Sequence, residues 1–187
     1  MNLFLNAVSS NGVMILFDNN RKIISKKNIK VAWNESELLI DILDNFLKGN
    51  NISYFDLENL VVVNWPWSFT WIRTIVLMIN TINFVIDKNI TPLNYFDLFK
   101  DFPIIKSSSR RDSFLKKSKD SQIEVIKNNE VQRFLKENNI KQVYWENKNI
   151  ENIKTFENID YSNIIKNIEF EKNRFITPIY IKKPSIS

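Results

Sequence analysis

The 187 residues contain no cysteine and no histidine, and glycine occurs only twice. These absences exclude thiol nucleophiles, Ser-His triads, zinc sites built on Cys or His, and imidazole acid-base chemistry. Two glycines, against a usual share of about 7%, leave almost none of the residue that turns with positive φ commonly use. The opening Met1-Asn2-Leu3-Phe4-Leu5-Asn6 has no basic stretch leading into an apolar run, so no signal peptide is expected. The most apolar segment, Ile72 to Ile86, is interrupted by Arg73, Asn80, Thr81 and Asn83 and is expected to fall short of a membrane span. A cytoplasmic protein without membrane contact is the expectation.

The chain is 44% hydrophobic and 13% aromatic, the composition of a folded domain or two small lobes. Its net charge is +5, compatible with RNA or with an acidic partner. Apolar alternation marks strands at Leu3 to Val8, Val13 to Phe17 and Lys22 to Ile29, separated by Ser9-Ser10-Asn11-Gly12 and Asp18-Asn19-Asn20. Asn34, with Glu37 three residues on, caps a helix carrying Leu38, Leu39, Ile42, Leu43, Phe46 and Leu47, which Gly49 ends. A helical turn within Ile52 to Glu58, a strand at Leu60 to Val63, a helix from Ser68 to Ile86 and a strand at Ile90 to Pro92 follow. The order β-β-β-α-β-α-β predicts an α/β chain of the actin-like, ribonuclease H-like class. The expected organisation is a first lobe over 1–102 and a shortened second α/β lobe over 103–187. In the second, Ile104 to Lys106, Ile123 to Lys127 and Lys141 to Tyr144 read as strands and Asn129 to Asn138 as a helix.

Three of the five tryptophans fall in one strand-to-helix turn, Asn64-Trp65-Pro66-Trp67-Ser68-Phe69-Thr70-Trp71-Ile72-Arg73, where the backbone asks for glycine. With Gly at each Trp, the string resembles the signature turn of the TsaB family, also called YeaZ. Pro66, Ser68, Phe69, Thr70 and Arg73 stand in the family's order as printed. Pro103 to Asp112 and Thr177-Pro178-Ile179-Tyr180-Ile181-Lys182-Lys183-Pro184 resemble further family segments, extending the likeness over nearly the whole chain. Some bacterial lineages read UGA as glycine where other codes read tryptophan. On that basis some or all of Trp33, Trp65, Trp67, Trp71 and Trp145 are expected to be glycines in the living protein, in an AT-rich genome suggested by abundant Asn, Ile and Lys.

The resemblance implies a non-catalytic subunit of the bacterial complex that makes threonylcarbamoyladenosine in tRNA. It implies pairing with TsaD, which holds the ATP and metal, and action with the ATPase TsaE. No cofactor is expected in this subunit alone, and homodimerisation is a further possibility for the isolated chain. The family's Ile-Asp-Thr-Ser aligns to Asn6-Ala7-Val8-Ser9, and Ala7 offers no carboxylate for a cation. Neither independent ATP hydrolysis nor small-molecule kinase activity is therefore expected. Anchors for TsaD are expected among Leu39, Ile42 and Phe46 of the first helix and Ile75, Met78, Ile79 and Ile82 of the second. Arg73 is placed to reach a carboxylate, and Ser68 and Thr70 read as helix-capping hydroxyls. Arg110, Arg111, Lys116, Lys117 and Lys119, with Phe114 among them, form a basic run that could touch tRNA phosphates. The competing reading is a stand-alone RNA-binding module in which literal Trp65, Trp67 and Trp71 stack bases.

Overall fold

The computed structural model describes residues 1–9, 11–30, 38–145, 153–155 and 159–180. The expectations for Trp33, for the Asn34 and Glu37 cap, and for Ile181 to Pro184 lie outside them. The first half follows the foreseen order: β1 (Asn2–Asn6), β2 (Asn11–Phe17), β3 (Ile23–Lys30), α1 (Leu39–Gly49), β4 (Asn59–Trp65), α2 (Phe69–Ile86) and β5 (Asn89–Asn94). Single turns of tighter helix cover Tyr54–Asp56 and Tyr95–Leu98. The second half contributes β6 (Ile104–Ser107), β7 (Asp112–Lys116), β8 (Ile123–Lys127), α3 (Val131–Glu137), β9 (Gln142–Trp145), β10 (Lys154–Thr155) and α4 (Tyr161–Asn167).

Two five-stranded sheets result, in the orders β3-β2-β1-β4-β5 and β10-β9-β6-β7-β8. In the first, β1 pairs antiparallel with β2 and parallel with β4, and β4 pairs parallel with β5. A strand between two others and covered on both faces needs a continuous apolar run, and Leu3, Phe4 and Leu5 supply it. Gly12 is fixed by packing, since a Cβ there would meet the Asn6 carbonyl oxygen and Ile29 Cγ1, each at 2.7 Å. α2 starts where Ser68 Oγ accepts the Trp71 N–H at 3.4 Å, a cap of the kind worth about 1 kcal/mol.

One apolar core unites Leu3, Val61, Ile72, Ile75 and Ile79 with Ile165, Ile168 and Ile176 from the far end of the chain. After α4 the chain runs back along α2 as an extended strap. Asn83 Nδ2 donates to the carbonyls of Lys88 (2.9 Å) and Arg174 (2.7 Å), while Asn80 exchanges two hydrogen bonds with the Ile176 backbone at 2.9 and 3.0 Å. The second sheet has its own smaller core of Ile105, Leu115, Val131, Leu135 and Val143.

At 18 residues, α2 is long and apolar enough by composition to cross a membrane, which corrects the expectation that it falls short. Ile72, Ile75, Val76 and Ile79 are nevertheless buried in this chain's core. Three strands and helices of the second half were not foreseen: β7, β10 and α4. β7 lies in the stretch read as a basic run, β10 is two residues long, and α4 lies in a mostly polar stretch, started by Asp160, whose Oδ1 accepts the Asn163 N–H at 3.0 Å.

Candidate functional site

The signature turn joins the carboxyl end of β4 to α2, and the Trp65–Pro66 peptide within it is cis. Positive φ, one reason for glycine in such a turn, is not used at its tryptophans. Among the described residues, positive φ falls on Arg21, Asn51, Asp87 and Asn139, and on no tryptophan. Trp71 is buried, and its Nε1–H donates to the Ala7 carbonyl at 2.6 Å, tying α2 to the end of β1. Trp65 sets its ring near-perpendicular to Phe96 at 6.3 Å. Trp67 lies under the ammonium of Lys106, a fully buried lysine of β6. A cleft of about 570 Å³ opens beside this turn, lined by Trp67 and Ser68 on one side and Ser107, Ser108, Ser109 and Arg110 on the other.

Phe69 is more than one-third exposed and packs against Tyr180 at 4.7 Å. The Arg73 guanidinium sits 5.3 Å from the Phe69 ring centroid. It makes no ion pair among the described residues, so the expected carboxylate partner is absent there. Ser68 caps α2 as foreseen, whereas Thr70 lies exposed inside the helix with its carbonyl accepting from Thr74 Oγ1 at 3.1 Å.

At the end of β1, Asn6 is fully buried and both ends of its amide serve the fold. Its Nδ2 donates to Tyr161 Oη at 3.2 Å, and its Oδ1 accepts the Val8 N–H at 3.3 Å. Among the described residues, no group of three or more acidic side chains comes together in a way that could hold a metal ion. Beside this point a second cleft, about 490 Å³, separates the β2–β3 hairpin from Tyr95, Tyr144 and Tyr161.

The expected partner anchors divide sharply. Leu39, Phe46, Ile75 and Ile79 are buried in this chain's own core, which corrects their assignment to an interface. Ile42, Met78 and Ile82 are half-buried and retain some surface. The apolar surface that remains lies mostly on residues not chosen as anchors. Leu77, Phe84 and Val85 of α2 are 68%, 77% and 65% exposed, and Ile40 of α1 and Phe55 are exposed as well. Ile40, Phe55, Ile82 and Val85 line a shared groove of about 480 Å³, with Asp41 and Asp44 on its rim. The available signal was that α2 is apolar around its whole circumference, more than one sheet can cover. Burial, and secondarily the Asp44 carboxylate, push the Tyr54 hydroxyl in that groove up to about 12.

The basic run does not form one patch. Arg110 and Arg111 sit at the β6–β7 turn, while Lys116 and Lys117 sit at the far end of β7, about 17 Å away at the rise of a strand. Lys117 pairs with Glu124 at 2.8 Å, Lys116 Nζ donates to the Ser121 carbonyl at 3.2 Å, and Phe114 is buried. Arg110 belongs instead to the Trp67 cleft. A cationic row on β3, comprising Lys26, Lys27 and Lys30, was not singled out.

No family model and no curated protein matches the sequence. Solved structures do match in fold. One is described as an uncharacterized protein with similarity to peptidase YeaZ from Pseudomonas aeruginosa. It aligns with a TM-score of 0.67 and 7% identity, covering 97% of this chain and 100% of that one. A second, YeaZ from Pseudomonas aeruginosa, aligns with a TM-score of 0.55 and 9% identity over 67% of each chain. With two five-stranded sheets and four helices in this order among the described residues, the chain has the mixed α/β fold of YeaZ-like structures.

Proposed function

We propose that this chain is a TsaB-type subunit of actin-like, ribonuclease H-like descent: a non-catalytic cytoplasmic partner of a TsaD homologue in tRNA threonylcarbamoyladenosine synthesis. One observation carries the reading. The YeaZ-like fold extends over 97% of the chain, and the string Pro66, Ser68, Phe69, Thr70 and Arg73 falls at the β4–α2 turn of that fold. Ala7 and a structurally engaged Asn6 at the end of β1 fit a subunit that leaves nucleotide and metal to its partner. The groove of Ile40, Phe55, Ile82 and Val85, flanking α1 and α2, is the surface offered to TsaD. It takes the place of the buried anchors read from sequence.

Recoding of the signature tryptophans as glycine belongs to the same reading, and Trp71 tests it hardest because its ring fills core space below Ala7. The gene's codons and the intact mass of the natural protein decide it; UGG at positions 65, 67 and 71 ends it. The stand-alone RNA module loses its support in the tryptophans. Trp71 is buried, Trp65 abuts Phe96, and Lys106 covers one face of Trp67, so the three rings do not form a shared stacking platform.

Co-expression with the TsaD homologue, followed by gel filtration and a threonylcarbamoyl-transfer assay with TsaE, ATP and tRNA, tests the function. Co-elution and a strictly chain-dependent rate are expected. A full rate without this chain, or ATP hydrolysis by the isolated chain, overturns it.

A further inference from the structure

β3 is an edge strand of the first sheet and presents Lys26, Asn28 and Lys30 on one face along the lip of the 490 Å³ cleft. Alternate side chains on a strand stand about 7 Å apart, a repeat suited to contacting successive phosphates of an extended nucleic-acid strand. Residues 19–34 contain five cations, Arg21, Lys22, Lys26, Lys27 and Lys30, and no acid. Lys22, Lys26, Lys27 and Lys30 form no ion pair among the described residues, whereas Lys48, Lys117 and Lys127 each face a carboxylate. The opposite wall carries Tyr144 and Tyr161, and among the described residues no acidic side chain lines the cleft. The Lys26 ammonium already lies 5.0 Å from the Tyr161 ring centroid, so charge and aromatic surface meet at the lip.

We propose that the β3 lip and its cleft seat a single-stranded RNA segment. Lys26 and Lys30, about 14 Å apart at the rise of a strand, neutralise two phosphates that have one between them, Asn28 hydrogen-bonds that middle phosphate, and the tyrosine wall flanks the nucleotide that enters the cleft. Lysines on a sheet edge also prevent unwanted strand pairing. That role explains neither the cleft nor the lack of acids among the described residues that line it. The inference deepens the proposed function by assigning the RNA-facing surface, and it rests on that reading only for which RNA is bound.

The test is fluorescence anisotropy of a short labelled single-stranded RNA with the full-length protein, titrated between about 50 and 200 mM salt. K26E/K30E is expected to weaken binding at least about tenfold. Loss of two phosphate contacts should also flatten the slope of log affinity against log salt by about 1.4, at roughly 0.7 per phosphate on a single strand. K26Q/K30Q should give the same flattening with a smaller affinity loss, and circular dichroism verifies that both variants fold. K116E/K117E should bind as wild type. Unchanged affinity and slope in K26E/K30E overturn the inference, as does complete displacement of the RNA by millimolar AMP, which would mark a mononucleotide pocket. Capture of the TsaD homologue by K26E/K30E is expected to persist. Failure of the wild-type chain to capture TsaD while RNA binding stays intact would sink the subunit reading alone.

Discussion

The Lys106 ammonium lies 3.9 Å from the centroid of the Trp67 ring and 4.3 Å from that of Tyr95, and the lysine is closed off from solvent. This contact links β6 of the second sheet to the turn that starts α2. A desolvated cation over an aromatic face is worth about 2 kcal/mol. In protein made with tryptophan at position 67, a double-mutant cycle of Trp67→Gly and Lys106→Met by urea denaturation should yield about 1–2 kcal/mol of coupling. Zero coupling would show that the ring contributes nothing to holding the lysine.

Trp71 presents a simpler case. Trp71→Phe keeps most of the ring volume but deprives the Ala7 carbonyl of its 2.6 Å donor, and should cost about 1–2 kcal/mol. Trp71→Gly also opens a cavity and should cost about 3–5 kcal/mol. Urea midpoints measure both, and equal losses would mean that the indole N–H is irrelevant.

For the proposed pairing, Val85→Asp places a charge on a residue that is 65% exposed and should leave the isolated fold intact. It should weaken capture of the TsaD homologue by about 2 kcal/mol, roughly 30-fold. Ile79→Asp, at a fully buried site, should instead prevent folding. Wild-type capture by Val85→Asp would remove the groove from the interface.

Tyr54 predicts a pH dependence. Its folded-state value is raised to about 12 from an ordinary 10.0, because burial and Asp44 disfavour the phenolate. A raised value means that the contribution to stability is complete below about pH 10 and is lost as pH rises towards 12. Urea midpoints measured upward from pH 9 should therefore fall less steeply in Tyr54→Phe. The Tyr54 hydroxyl is buried without a hydrogen-bond partner among the described residues, so Tyr54→Phe should be no less stable than wild type at neutral pH. A loss there would contradict this account.

The asparagine clamps give a fourth local test. Asn83 is buried and its amide makes three hydrogen bonds, so Asn83→Ala should cost about 2–3 kcal/mol and free the strap for limited proteolysis near Arg174. An unchanged cleavage pattern would show that apolar packing of Ile176 alone keeps the strap in place.

The first half of the fold was legible because its periods are strong: Leu3 to Leu5 and Leu60 to Val63 are continuous apolar runs, and α1 repeats its leucines at helical spacing. β7 was hidden because Asp112 and Lys116 bracket only three buried residues, and the flanking charges dominate the window. α4 was hidden because Tyr161–Asn167 buries only Ile165 fully and reads as another polar stretch. Among the described residues, left-handed backbone is held without glycine, for a physical reason. Asn51, Asp87 and Asn139, whose short polar side chains tolerate left-handed backbone, do that work here, together with Arg21. Within α2 the sequence showed surplus apolar surface but not its direction. Ile79 and Val85 are equally apolar, and only the docking of the helix on the sheet makes one core and the other surface.

The strap also bears on how the protein is made. Ile165, Ile168 and Ile176 share a core with the first strand, so a nascent chain that has emerged only as far as β5 exposes the apolar seam they later cover. Synthesis must proceed well beyond the second sheet before that seam can close. During that interval ribosome-associated chaperones have a defined hydrophobic target.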